Sequence, residues 1–236
     1  MIVVRPRPIE WRFVPFRVAA RLLSARSVGS AGGGVRSAAM ADPKPKPEPQ
    51  VLDVPDVAAW EAWLEAHHAD TDEGVWLRLP HKKATRPGPT YVEAVEVALC
   101  FGWIDGQGRR GTDGESSLQR MTPRRKRSVW GKINVERAER LIAEGRMRPA
   151  GLAEVERAKA DGRWAAAYDP PSTAEPPADF LAELEKHPTA KAFFATLNKT
   201  NRFAVSHRLQ TAVKPETRAR RLAKIIEQLD REEKFH

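Results

Sequence analysis

Between Phe101 and Asn134 the chain reads FGWIDGQGRRGTDGESSLQRMTPRRKRSVWGKIN, and this run constrains the fold more than any other stretch. Trp103 to Arg110 alternates with the period of a strand, which places Trp103, Asp105, Gln107 and Arg109 on one face. A Gly/Asp-rich stretch supplies a turn, and Leu118 to Thr122 supplies the return strand. A hairpin is therefore expected, its ends meeting the TPRRKR turn, with glycines providing positive backbone angles in the loop. Gly106, Gly108 and Gly111 also match the letters of a dinucleotide-binding loop. That motif must leave a strand and open a helix, whereas here a second strand follows, so the match is set aside.

The flanking segments read mostly as helix. Asp53 or Asp56 caps a helix with Pro55 near its start and an apolar face of Val57, Trp60, Trp63 and Leu64. His67 and His68 close it, and their adjacency suits interaction with the helix C-terminus better than metal ligation. Val75 to Leu79 reads as a short strand. Thr90 and Glu93 form a capping box for a helix whose buried side is Val92, Val95 and Leu99, ended by Gly102. Ser128 caps the next helix, through Ile133, Arg137, Leu141 and Ile142 to Gly145, and another runs from Pro149 through Leu152 and Val155 to Gly162. A Pro-rich linker follows at 168–178. Beyond it Leu181, Leu184, Phe193, Phe194, Leu197, Phe203, Val205 and Leu209, with a last helix from Pro215 carrying Leu222, Ile225, Ile226 and Leu229, outline a helical module. At that size it is expected to dock on the first domain.

The expected architecture is α+β: a disordered Arg/Pro-rich leader over 1–50, an α+β domain over 51–167 with a small, mainly antiparallel three-stranded sheet, the linker, and an all-helical domain over 179–236. The formal charge of +9 is unevenly placed: residues 1–39 hold seven Arg against Glu10, and residues 103–132 hold eight Lys or Arg against three acids, leaving the remainder at −2. The leader's Arg/Ser/Gly composition fits either a start-site extension before Met40 or a targeting segment. The only cysteine, Cys100, cannot form an internal disulfide, in keeping with a reducing, cytoplasmic setting. No stretch approaches the ~20 apolar residues of a membrane-spanning helix. No spacing of ligands suggests a metal, and none suggests a cofactor.

Four segments carry a family resemblance: ALCFGWIDGQGRR, LQRMTPRRKRSVWGKINVERAERLIAEGRM, AGLAEVERAKADGRW and FFATLNKTNRFAVSHRLQTAVKPETRARRLAKIIEQL. Over about residues 51–236 the chain resembles the YdeI/OmpD-associated, or bacteriocin-protection, family. The Trp-Ile-Asp-Gly and Thr-Pro-Arg-Arg elements are its most distinctive parts. The resemblance implies a bacterial stress-resistance protein without implying a reaction or a ligand. The continuous basic run Arg124 to Arg127 and the residue His207 depart from the expected pattern.

The candidate ligand-binding residues are Trp103, Asp105, Gln107, Arg109, Arg120, Arg124, Arg125 and Trp130. Neighbouring guanidiniums repel, and a phosphate or carboxylate would relieve that while using their fork geometry. The tryptophans would wall the pocket or stack a base. Ordinary cross-strand ion pairing by Asp105 and ordinary core packing by the tryptophans account for the same residues. Three functions stay open. One is a noncatalytic module for an anionic small molecule or nucleic acid. Another is an enzyme on a phosphorylated or carboxylated substrate, with Asp105 as acid/base. The third is an adaptor that contacts a protein partner through the C-terminal helices. Oligomeric state is not indicated.

Overall fold

The computed structural model describes residues 49–70 and 72–236; the leader, up to residue 48, lies outside the described residues. In chain order the elements are β1 (Val51–Leu52), α1 (Val57–His67), β2 (Val75–Pro80), α2 (Tyr91–Cys100), β3 (Trp103–Arg110), β4 (Ser116–Pro123), α3 (Lys132–Ala143), α4 (Pro149–Ala160), α5 (Ala178–Leu184), α6 (Pro188–Thr196), α7 (Lys199–Gln210) and α8 (Pro215–Asp230).

The sheet has four strands in the order β1-β2-β4-β3, with β1 parallel to β2 and the other neighbours antiparallel. The three-stranded expectation missed β1. Two residues are too few to show an alternation of their own, and this strand is held by backbone pairing, including Trp76 N–H to the Gln50 carbonyl at 2.8 Å, and by the buried Leu52 side chain. The hairpin of β3 and β4 forms as expected, but β3 is bulged: Asp105 lies opposite Met121 and Gly108 opposite Gln119, so that Gly106 and Gln107 together face Arg120. A bulge of two residues against one reverses the in/out alternation beyond it.

Tryptophans organise the helix-covered side of the sheet. Asp56 caps α1, its carboxylate accepting from Ala59 N–H at 2.8 Å. Trp60, Trp63 and Trp103 then pack with ring centroids 5.5 to 6.3 Å apart, one pair stacked and two edge-on. A buried indole N–H is costly to leave without a partner. Trp60 donates to the Ala94 carbonyl at 3.0 Å and Trp103 to the His68 carbonyl at 3.1 Å. The ring nitrogen of His68 meets the Leu64 carbonyl, serving the end of α1 as expected.

The capping box of α2 is present with both its hydrogen bonds. Its buried stripe is Ala94, Val95, Val97, Ala98 and Leu99, while Val92 is exposed. Alanines carry a weak hydropathic signal, and that drew the sequence reading toward Val92. In α3 the expectation also shifts: Gly131, not Ser128, is the N-cap, and the Ser128 hydroxyl instead accepts from Arg125 N–H at 2.9 Å to close the TPRRKR turn. Ala138 and Leu141 are the buried positions of α3, with Ile133 and Ile142 exposed. Helix α4 crosses the end of α2 so closely that a Cβ on Gly151 would fall 2.3 Å from the Cys100 carbonyl oxygen.

The C-terminal region is helical, with a core of Phe180, Phe194, Val205, Leu209, Ile225 and Leu229 among others. Asn201 is buried there, and its side-chain oxygen accepts from the N–H groups of Phe235 and His236, tying down the chain end. The Pro-rich stretch before α5 holds onto both sides. Tyr168 forms an isolated parallel bridge with Gly131, and Asp169 exchanges two hydrogen bonds with the Gln210 side chain. The Tyr168 ring lies edge-on to His207 at 4.5 Å. No described helix is long and apolar enough to cross a membrane.

Candidate functional site

A cleft of about 160 Å³ is lined by Tyr91, Asp105, the first turn of α3 from Gly131 to Asn134, Arg137, Tyr168, Pro170 and Pro171. Each wall follows from local structure. The capping box starts α2 at Tyr91, which puts its phenol beside β3, where it donates to Asp105 Oδ2 at 2.7 Å. Burial, and then this bond to a carboxylate, push the Tyr91 phenol well above its ordinary range, so it stays a donor. Gly131 lets the opposite wall close: a Cβ there would lie 3.1 Å from a ring carbon of Tyr168. Lys132 N–H donates to the Tyr168 carbonyl at 2.9 Å, fixing that wall to the start of α3. Burial, and then the charge of Asp105, raise the Tyr168 phenol as well.

The floor is charged with both signs. Arg137 donates to the Asn134 side-chain oxygen at 3.1 Å, and Lys132 pairs with Asp169 at 2.6 Å. The Lys132 hydrogen bond holds the Asp169 carboxyl below its usual range. The N-terminus of α3 opens on the cleft without a side-chain cap, which adds a partial positive charge. Among the described residues neither Asp105 nor Arg137 has an ion-pair partner: Asp105 is bonded by Tyr91 and Arg137 by Asn134. At the far end of the sheet, by contrast, Arg78 and Arg86 share Asp53 and Asp113.

Arg124 is buried, 6% exposed, with its guanidinium 3.5 Å over the ring of Trp130. Its backbone N–H donates to the Gly102 carbonyl at 3.0 Å, which joins the TPRRKR turn to the end of α2. One guanidinium nitrogen donates to the Val129 carbonyl at 3.2 Å, while Nε and Nη2 have no hydrogen-bond partner among the described residues. Burial pulls the group down to about 10, against the attraction of Glu154 and, more weakly, Asp105. Arg124 therefore remains a cation at neutral pH and feels the cleft carboxylate. Trp130 is equally buried and packs on Trp164 at 4.8 Å.

The eight residues expected to share a site are thus divided. Asp105 lines the cleft, with Arg124 electrostatically coupled to it and Trp130 beneath Arg124. Trp103 belongs to the tryptophan core. Gln107 is exposed on the bulge. Arg109 pairs with Leu118 and Asp105 with Met121, an odd separation along β4, so the two arginyl and aspartyl side chains lie on opposite faces of the sheet. There Arg109 and Arg120 sit 4.3 and 5.7 Å from the Trp76 ring, and Arg120 also donates to the Glu73 carbonyl. Arg125 is exposed. The shared face read from alternation is corrected by the bulge. The sequence reading did not pick out Tyr91, Lys132, Asn134, Arg137 or Tyr168 for the site, because they come from three separate elements with no common spacing. The Gly131 N-cap was the available hint of a close approach.

With this geometry in place, comparison with protein families becomes informative. Residues 173–232 match the family described as bacteriocin-protection, YdeI or OmpD-associated. The YdeI/OmpD-associated resemblance is thereby shown for the C-terminal helices. Residues 52–154, which hold Asp105, Arg124 and Arg137, match a different model, a domain of unknown function (DUF8412). The aromatic wall Tyr168 falls between this match and the YdeI/OmpD-associated one. No curated protein and no solved structure matches the chain.

Proposed function

We propose that this protein acts in the cytoplasm in protection against bacteriocin-like stress, as a noncatalytic module that binds a small charged molecule in the Asp105 cleft. The protective role is supported by the C-terminal YdeI/OmpD-associated match. The binding role rests on one observation, the unpaired Asp105 and Arg137 facing the same small cleft. A cleft of about 160 Å³ suits a small molecule or the end of a larger one.

Nucleic acid is the second reading, and a separate observation favours it: Arg109 and Arg120 flank the Trp76 ring on the opposite face, a combination that stacks bases and neutralises phosphates. The two are separated by differential scanning fluorimetry and titration of the full chain with small carboxylates, phosphates and amines, beside oligonucleotides over a salt series. The cleft reading expects a stabilising small molecule whose effect is lost in Arg137→Gln. Oligonucleotide binding with a steep salt slope, lost in Arg109→Ala/Arg120→Ala and untouched by Arg137→Gln, would replace it with the nucleic-acid reading.

A further inference from the structure

We infer that the cleft takes a zwitterion of the amino-acid class, its ammonium group at Asp105 and its carboxylate at Arg137 and Lys132. This rests on the cleft being the ligand site. The argument is one of charge balance. Asp105 is a carboxylate without a counter-ion among the described residues, bonded by the Tyr91 hydroxyl and standing in a cleft that also holds the Tyr168 ring. A carboxylate beside two aromatic rings is a setting for an ammonium group, through a charge-assisted hydrogen bond and cation–π attraction. Arg137 has no counter-ion either, and Lys132 shares only Asp169. Both are on α3, whose N-terminus opens on the same space, and together they suit a carboxylate.

Simpler ligands fit less well. A plain anion would be drawn to Arg137 and placed in the field of Asp105, while a plain cation would meet the reverse. A neutral molecule would leave both charges unmatched and partly desolvated. Asp105 and Arg137 do not neutralise each other, since no ion pair joins them. Both nevertheless act on the Tyr91 hydroxyl, with opposite signs, so both lie within electrostatic reach of one point in the cleft. The volume sets the size. About 160 Å³ is room for a ligand headgroup of the size of an amino acid's charged end.

Isothermal titration of the full-length protein tests this with the free amino acids and a series of ω-amino acids of increasing chain length. The tightest binder is then compared with its N-acetyl derivative and its methyl ester. The inference expects each blocked form to bind roughly tenfold to a hundredfold more weakly. It also expects Asp105→Asn to erase discrimination against the N-acetyl form and Arg137→Gln to erase discrimination against the ester. If the N-acetyl form binds as tightly as the free amine and Arg137→Gln abolishes both, the cleft is an anion site and the zwitterion inference is overturned while the site stands. If no compound binds, or if binding is indifferent to both substitutions, the site itself is refuted.

Discussion

Replacing Arg124 by methionine is expected to leave stability almost unchanged, and replacing it by alanine is not. The guanidinium is 6% exposed, and burial lowers it from its ordinary value to about 10. At 1.36 kcal/mol per pH unit, that fall places about 3 kcal/mol against the charged form in the folded protein. Set against this are the stack on Trp130 at 3.5 Å, worth about 2 kcal/mol when desolvated, and the bond to the Val129 carbonyl, worth about 1.5 kcal/mol. The terms nearly cancel. Methionine keeps an unbranched, flexible apolar stem against the Trp130 ring while removing the buried charge, so Arg124→Met is expected within about 1 kcal/mol of the parent. Arg124→Ala opens a hole over Trp130 and costs about 2 to 4 kcal/mol. Urea unfolding at pH 7, where the guanidinium is charged, measures both. Equal losses in the two variants would show that the charge itself stabilises the fold and refute the reasoning. Near-neutrality of Arg124→Met would mean that the buried charge adds no net stability to the fold.

Three further outcomes are expected. Burial first, and then Arg221 and Arg208, hold the His207 imidazole below its ordinary value. As pH falls below about 6.5 the unfolded chain protonates before the folded one, so stability declines until the folded value is passed. His207→Phe, which preserves packing on Tyr168, removes this decline in urea midpoints compared between pH 7.5 and pH 5; an unchanged decline would place the acid sensitivity elsewhere. Gly151→Ala should gain about 1 kcal/mol of helix propensity, yet its Cβ would meet the Cys100 carbonyl at 2.3 Å, so a net loss of about 1 to 3 kcal/mol is expected in the same assay. Gly131→Ala pushes on the Tyr168 ring at 3.1 Å and should weaken ligand binding in titration more than it lowers the melting temperature.

The hairpin, the capping box, the C-terminal helices and the Trp60/Trp63 face of α1 were legible because each is a local pattern with a physical cause, whereas Trp103, assigned to the ligand site, packs with those two tryptophans. The failures share a cause as well. A two-residue strand such as β1 has no periodicity, and a bulge at Gly106–Gln107 cannot be told from regular alternation until the partner strand fixes the register. That one extra residue moved Arg109 away from Asp105 and divided the expected arginine cluster. Asp105 was picked out from the Trp-Ile-Asp-Gly element, and it lines the cleft, while Arg124 lies buried over Trp130. Arg137 and Tyr168 were not picked out, since their roles depend on how α3 and the Pro-rich stretch meet.

The most direct test is a ¹H–¹⁵N correlation map of the full-length protein with and without the tightest-binding amino acid from the titration panel. The account predicts that shift changes centre on Tyr91, Asp105, Gly131 to Asn134, Arg137 and Tyr168. Changes centred instead on Trp76, Arg109 and Arg120 would contradict it and move the binding site to the other face of the sheet.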